Sequence, residues 1–285
     1  MRYETITTPW NALPAGGEVN GHVFAIGDVH GHADLLEALL QQFDHEKTPD
    51  GMMRSLIFTG DLVDRGPEQL RSLQLALAAK DRFDRRIILP GNHEQVMLEA
   101  LRDPAYNGNF QYWCRIGGMA LVDEVDPPRG ADVVKMAVII REALPEGFVD
   151  LLLHAPSHHR EGPLLFVHAG INPLGSRPAF LAQGLFDHPP QNLHWAWIRE
   201  PFITWRAGWD QGVTSRGPTV VVHGHTVEAE APFEDYPDLA RAADRVSDSR
   251  RINIDAGSYM HGQIAGLEVL GQHYRLHAAV RRRYL

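Results

Sequence analysis

The sequence is poor in cysteine: Cys114 stands alone among 285 residues. A single thiol excludes an internal disulfide framework, and nothing in the chain points to an oxidising compartment. Positive charge is scarce as well. Lys and Arg number 27 against 36 Asp and Glu, a formal net charge of −9. A broad electrostatic attraction to nucleic acid or to an anionic membrane is therefore not expected. The short basic end "RRRYL" is too small to reverse this. Long hydrophobic runs are missing too. No stretch reaches the roughly 18 apolar residues of a membrane span. The most apolar one, 133–153, is interrupted by Lys135, Arg141, Glu142, Glu146 and Asp150. The opening "MRYETITTPWNALPAGG" lacks the apolar core of a signal peptide. There is no internal repeat and no low-complexity linker. These absences predict a cytoplasmic protein without membrane or nucleic-acid partners.

What is present is an ordinary globular composition, 44% hydrophobic and 22% charged. The chain is long enough for one large α/β domain or two small ones. Histidine is the exception, at 16 residues. In an acidic, nearly cysteine-free chain, histidine and carboxylate are the obvious metal ligands.

A local grammar recurs along the chain. Six short apolar runs end in a small or turn residue beside a polar one: "HVFAIGDVHG" (22–31), "SLIFTGDLVDRG" (55–66), "RIILPGNHE" (86–94), "LLFVHAG" (164–170), "TVVVHGHT" (219–226) and "INIDAGS" (252–258). Such runs read as buried strands. Helical spacing follows the first three, as in Leu35, Leu36, Leu39, Leu40 and Phe43. Strand–helix alternation predicts a largely parallel sheet covered by helices. "QIAGLEVL" and "HYRLHAAV" predict a closing hairpin around Gly271. Residues 95–160 break the rhythm. "FQYWCRIGGMALVDEV" and "DVVKMAVIIREALP" read as helices joined by the turn "DPPRG". We read a single domain over 1–285, with an N-terminal extension at 1–20 and a helical insertion at 95–160. Residues 171–218, rich in Pro, Gly and Trp, read as an ordered loop region.

In α/β sheets, ligands bind beyond the carboxyl ends of the strands. The polar residues stand at those ends: Asp28 and His30, Asp61 and Asp64, Asn92 and His93, His168, and His223 and His225. They are expected to converge at one sheet edge. Oxygen and imidazole ligands without thiolate favour Mn, Fe, Zn or Ni over a structural cysteine–zinc site. A calcium or magnesium cage would use more oxygen and less histidine. Two ions about 3.5–4 Å apart need a shared ligand, and a carboxylate can bridge them. Such a pair lowers the pKa of bound water from about 15.7 to about 7.

"GDVHG" (27–31), "GDLVDRG" (60–66) and "GNHE" (91–94), followed by "VHAG" and "HGHT", closely resemble the calcineurin-like metallophosphoesterases. The specific likeness is to the phosphoprotein phosphatase family, whose middle motif carries the extra Asp-Arg-Gly. "GDLVDRGP", "WIREPF" (197–202) and "INIDAG" resemble its bacterial and phage lambda-type Ser/Thr protein phosphatase branch. The likeness runs from residue 22 to about 278. It implies an α/β fold with two mixed β-sheets packed as a sandwich and flanked by helices. It implies two divalent metal ions, Mn²⁺ first, with Fe, Zn or Ni as alternatives. Asp28 and His30 would bind the first ion, Asp61 would bridge both, and Asn92, His168 and His225 would bind the second. His93 would be the general acid, with Asp64 holding its other ring nitrogen. Arg65 and Arg199 would grip the phosphate. A bridging hydroxide would attack phosphorus in line, without a phosphoenzyme. The substrate would be a phosphorylated protein or a small phosphate ester.

Symmetrical diadenosine tetraphosphatases share these motifs, so the core alone does not separate the two substrate classes. "WIREPF" and the Gly117–Gly118 pair favour the protein phosphatase. A non-catalytic phosphate-binding protein on the same fold would be expected to lose a ligand or His93, and neither is lost. The arginine of Asp-Arg-Gly and the acidic charge argue against a nuclease. "HEQVM" is no zincin signature, because Met97 stands where histidine is needed. Arg206 and Arg216 are alternatives to Arg199. Glu94 is read as a support at a helix start and not as a ligand. His223 is open between a strand histidine and a site residue. The remaining histidines, His22, His194 and His277 among them, are read as ordinary surface or loop residues, with His32, directly after the first motif, kept as the exception. Trp195, Trp197, Trp205 and Trp209 are read as packing, with one possible groove wall among them. Cys114 is read as a small buried hydrophobe.

Overall fold

The computed structural model describes residues 2–14, 16–210 and 219–282. In chain order the strands are β1 (Arg2–Thr7), β2 (Asn11–Ala12), β3 (His22–Ile26), β4 (Arg54–Phe58), β5 (Arg85–Ile88), β6 (His158–Glu161), β7 (Leu164–Val167), β8 (Val220–His223), β9 (Asp244–Arg245), β10 (Arg251–Asn253), β11 (Gln263–Leu270) and β12 (His273–Arg282). They form two mixed sheets. The first has the order β1-β12-β11-β3-β4-β5, with β2 on β12; the second has the order β6-β7-β8-β10-β9.

The strand–helix alternation holds where it was read. β3, β4 and β5 are parallel, and they are followed by α1 (Ala33–His45), α2 (Gln69–Ala78) and α3 (Asn92–Arg102). The rest of the first sheet is antiparallel. The hairpin β11–β12 turns at Gly271, folds back onto β3, and pairs with β1 on its far side. Residues 2–7, read as an extension, are thus an edge strand. Their sequence hides this, because only Ile6 of β1 is a buried hydrophobe.

Period-2 alternation explains the layers. Phe24, Ile26, Leu56 and Phe58 face the helices, whereas Val23, Ala25 and Ile57 face the second sheet. From the second sheet, Leu164, Phe166, Val220, Val222 and Ile252 fill the space between. Its outer face, with Leu165, Val167 and Val221, is covered by Trp195, Ile198, Phe202 and Trp209 of the 171–210 loop region.

The insertion contains α4 (Asn109–Trp113), a π-helical turn at Cys114–Gly118, α5 (Met119–Val125), α6 (Val133–Ala143) and α7 (Phe148–Leu153). Its Trp113, Leu121, Ile140 and Phe148 join the same core as Leu36 and Met97. Among the described residues, no helix is long and apolar enough to cross a membrane.

Candidate metal centre

The six strand ends meet at one edge of the sandwich. Backbone hydrogen bonds tie them together: Val29 and His30 N–H donate to the Asp61 carbonyl (3.0 and 2.9 Å), and Gly224 N–H donates to the His168 carbonyl (2.8 Å). Close approach at Gly91 is part of the construction. A Cβ there would lie 2.0 Å from Asp61 Oδ1. Glu94, in the first turn of α3, folds back over this junction. Its carboxylate accepts from Asp61 N–H (2.8 Å), Leu62 N–H (2.7 Å), Val63 N–H (3.1 Å) and Gly91 N–H (2.7 Å). It supports the site and has no oxygen to spare for a ligand role. Gln69 does the same one turn along the loop, accepting from Asp64 N–H (2.8 Å) and donating to the Gly66 carbonyl (2.8 Å).

The backbone here is strained. Of the non-glycine residues with positive φ among those described, half are His30, Asp61, Asp64, Arg65 and His225. Such conformations cost about 1–3 kcal/mol each and persist only where the surroundings over-determine them.

The structure brings Asp28, His30, Asp61, Asn92, His168 and His225 into one buried cluster. Each histidine has one ring nitrogen held by a backbone carbonyl: His30 Nδ1 by Val63 (2.8 Å), His168 Nδ1 by Thr59 (2.8 Å) and His225 Nε2 by Trp197 (3.1 Å). A carbonyl only accepts, so that nitrogen carries the proton, and the other nitrogen is left with a lone pair. Those free nitrogens all face oxygens. His30 Nε2 lies 3.6 Å from Asp61 Oδ2, and His168 Nε2 lies 3.4 Å from Asp61 Oδ1 and 3.1 Å from Asn92 Oδ1. His225 Nδ1 lies 2.8 Å from Asn92 Oδ1.

Lone pairs facing carboxylate oxygens call for a cation between them. The ligand atoms of Asp61, His168 and His225 lie within 4.8 Å of one another, as do those of His30, Asp61 and His93. Asp61 is common to both groups. Asp28 Oδ2 accepts from His225 N–H (3.0 Å), while its buried Oδ1 has no partner.

Charge bears this out. Burial, together with the nearby Asp255 and Asp61 carboxylates, pushes the Asp28 carboxyl well above its usual range. Asp255, also buried and near Asp61, is pushed up to about 6. Burial holds His30 and His225 well below the ordinary imidazole range, so both are neutral. Burial also works against charge on His168, but the Asp61 carboxylate outweighs it and raises the ring. Buried carboxylates around two neutral imidazoles, with a third whose charge only Asp61 supports, are the environment a divalent cation stabilises. The donor set therefore fits two metal ions.

Beside this cluster, Asp64 Oδ2 takes His93 Nδ1–H at 2.6 Å. Burial opposes charge on His93, but Asp61 and Asp64 override it and raise the ring. Burial also raises Asp64. Asp64 nonetheless accepts on both oxygens, from His93 and from Trp113 Nε1 (2.8 Å), and such partners favour its anion with a proton on His93.

Arg65 Nη2 lies 2.9 Å from His93 Nε2. Both line an open cavity of about 450 Å³ with Asn92, Trp197, Arg199 and His225. Arg199 is anchored to the His225 carbonyl (3.0 Å) and Thr226 Oγ1 (2.7 Å). Arg206 instead binds the Ile203 and Trp205 carbonyls and lies outside the cavity lining; Arg216 lies outside the described residues.

His223 is placed under the site, not in it. Its Nε2 faces Arg251 Nη1 (3.2 Å) and its Nδ1 the Gly224 carbonyl (3.0 Å). Burial and the Arg251 guanidinium depress it to about 3. His32 is turned toward Arg281 Nη2 (3.3 Å). Among the tryptophans, Trp197 walls the cavity, while Trp195 and Trp209 are buried. Three contributors, Gln69, Trp113 and Tyr259, stand outside the strand-end motifs, and Asp255 lies in "INIDAG", a strand end to which no site role was given. The Tyr259 ring lies 4.0 Å from the Arg65 guanidinium carbon and edge-on to His30 at 5.5 Å. His22, His194 and His277, read as ordinary surface or loop residues, are fully buried. His22 and His277 lie on strands, where alternation turns them inward onto a buried polar partner, Glu268.

The scaffold is a two-sheet sandwich that carries a candidate binuclear metal centre at the strand ends. The calcineurin-like phosphoesterase family model matches residues 21–229, and the chain belongs to that family. Among its relatives, the symmetrical bis(5′-nucleosyl)-tetraphosphatase of Delftia acidovorans is 29% identical over 160 residues, covering 56% of this chain and 48% of that protein. The serine/threonine-protein phosphatase 2 of Escherichia coli is 35% identical over 97 residues, covering 34% of this chain and 38% of that protein. The chain thus spans half or less of the length of these relatives. A Saccharomyces cerevisiae protein serine/threonine phosphatase superposes with a TM-score of 0.48 at 15% identity, covering 93% of this chain and 82% of that one.

Proposed function

We propose that this phosphoesterase is a phosphomonoester hydrolase of the Ser/Thr protein phosphatase type, of the bacterial and phage lambda-type branch. The observation that carries the reading is the line from Asp64 through His93 to Arg65, set along a cavity beside Asp61. Asp28, His30 and Asp61 would hold one ion, and Asp61, Asn92, His168 and His225 the other. Divalent ions there, Mn²⁺ first, would supply Lewis acidity toward a phosphoryl oxygen and a nucleophile drawn from water at neutral pH.

The chain's own residues do the rest. Arg65 and Arg199 bind the phosphate oxygens, Arg65 by exchanging its contact with His93 for one to the substrate. Asp64 holds the Nδ1 proton of His93, so Nε2 is the nitrogen that faces the leaving oxygen. Direct attack by water would leave no phosphoenzyme.

A phosphoprotein is favoured by the shape of the mouth. Tyr112 separates the 450 Å³ cavity from an open trough of about 760 Å³, so a polypeptide could continue past the phosphate. The second reading, a small-molecule phosphohydrolase acting on symmetrical dinucleotide polyphosphates, is favoured by the name of the Delftia relative. A panel with Mn²⁺-loaded protein separates them. Phosphoserine or phosphothreonine peptides should give the highest kcat/KM. A tenfold or greater preference for diadenosine tetraphosphate, or for phosphotyrosine peptides, would overturn the first reading.

A further inference from the structure

Asp64 and Arg65 both sit at φ +73°. Two consecutive residues in the left-handed region need something to hold them there. Gln69 holds the Asp64 N–H, His93 holds Asp64 Oδ2, and the Tyr259 ring lies against the Arg65 guanidinium; three further contacts come from the insertion. Arg65 N–H donates to the Gly117 carbonyl (3.0 Å), and Arg65 Nε reaches the Ile116 carbonyl at 3.5 Å. Trp113, fully buried, donates its indole N–H to Asp64 Oδ1 (2.8 Å), the oxygen that His93 does not use. The three contacts come from one short segment, the end of α4 and the π-helical turn. Single π turns inside α-helices are often found at functional sites.

The two glycines of this turn are shaped to their neighbours. Gly117 has φ +139°, and a Cβ on it would lie 2.6 Å from Arg65 Cγ. A Cβ on Gly118 would lie 2.3–2.5 Å from three atoms of the Trp113 indole. The pair therefore admits Arg65 on one side and the indole on the other.

Building on the function proposed above, we infer that Trp113 is a positioning residue for proton delivery: its indole N–H fixes the Asp64 carboxylate, and through it the His93 ring, so that the helical insertion sets the geometry of a proton donor it does not itself contain. A buried carboxylate with one oxygen unpaired can rotate. With both oxygens held it presents Oδ2 to His93 Nδ1 in one orientation, and His93 Nε2 then points to one place in the cavity. A hydrogen bond to a charged group is worth more than one between neutral groups, enough for roughly a tenfold effect when lost.

The test uses Mn²⁺-loaded full-length protein and two substrates. A phosphoserine peptide needs a proton on its leaving alkoxide; 2,4-dinitrophenyl phosphate leaves as a stable anion and needs none. Trp113→Phe fills most of the ring's space and cannot donate. It should lower kcat for the peptide about tenfold, change kcat for the dinitrophenyl ester less than about twofold, and leave KM and bound metal unchanged. In a His93→Asn background it should cause no further loss, because its effect runs through His93.

If packing disturbs the comparison, benzothienylalanine placed at position 113 keeps the indole shape without the N–H and should give the same selective loss. Equal loss on both substrates, no loss on either, or an additive loss in the His93→Asn background would overturn the inference. If His93→Asn alone slows both substrates equally, the proton-donor role proposed for His93 falls, and the role of Trp113 falls with it.

Discussion

Two clusters of buried charge among the described residues are built on opposite principles. At the strand ends, Asp28, Asp61 and Asp255 are buried together among neutral or carboxylate-paired histidines, and an oxygen of Asp28 has no partner. On β11, Glu268 is just as buried, yet its oxygens are fully matched. His22 Nε2 binds Oε1 (2.7 Å), and His277 Nε2 and Arg275 Nε bind Oε2 (2.7 and 2.6 Å). Arg275 also binds Glu46, so the cation of this cluster is already part of the chain. Glu46, Glu268 and His277 would pass for a metal site on donor geometry alone. What separates the two is whether the protein supplies the countercharge. An unmatched cluster waits for a ligand; a matched one serves the fold.

The largest expected effect tests the unmatched cluster at the residue it shares. Asp61→Asn keeps size and shape but removes the charge that faces both groups of ligands. Turnover should fall by about 10³-fold or more, with bound metal dropping from two ions per chain to less than one, measured by elemental analysis beside initial rates. Near-wild-type turnover with both ions retained would break the comparison at its first term.

Glu268→Gln tests the matched cluster. Removing one partner from a buried ionic group strands the others, here at a cost of about 3 kcal/mol in a denaturant titration at neutral pH. Turnover should stay within about twofold, and Mn²⁺ should raise the thermal midpoint as much as in the wild type. The pH dependence has a definite sign. Burial alone would raise the Glu268 carboxyl, but the His22, His277 and Arg275 hydrogen bonds hold it far below the usual range. Its stabilising share is therefore complete above an unfolded value of about 4.3 and is lost as pH falls toward the depressed folded value. The stability difference between wild type and variant should shrink across that acid window. A difference that grows as pH falls, or a loss of metal, would mean that Glu268 belongs to the catalytic half of the molecule.

How much of each cluster the sequence reveals follows from how local it is. The candidate metal ligands are legible because each stands at the end of a short apolar run, where period-2 burial stops and a turn begins. Three of the runs are followed by helices whose apolar face is readable at the spacing of Leu36, Leu39 and Phe43. The Glu268 cluster is illegible for the opposite reason. Of its members, His22, Glu268, Arg275 and His277 are polar residues on strands that the pairing of β11 with β3 and β12 brings together, and Glu46 reaches them from the end of α1. The edge strand β1 escapes notice because little of it is buried. The Gly117–Gly118 pair is visible in the sequence, but what it packs against, Arg65 and Trp113, depends on a π turn that no periodicity announces. Glu94 lies between these cases: its place at a helix start is readable, and the four backbone donors it gathers are not.

His223 gives the smallest expected effect and the finest test, because it sits two residues from His225 and belongs to the matched class. Its two ring nitrogens face opposite kinds of group, a guanidinium at Nε2 and a carbonyl at Nδ1. That combination needs one proton on Nδ1 and a lone pair on Nε2, the neutral ring that burial and Arg251 also favour. Both nitrogens are thereby used, and none is left to face Asp61. Arg251 is held in turn by Glu228, so the row from His223 to Glu228 carries its own countercharge, as Glu268 does. His223→Asn should cost about 1–2 kcal/mol by leaving a buried guanidinium N–H short of an acceptor. It should change kcat less than about twofold and leave metal content intact. A tenfold loss of activity accompanied by loss of metal would move His223 into the unmatched cluster, and neighbouring histidines on one strand end could then no longer be sorted by whether the protein itself satisfies them.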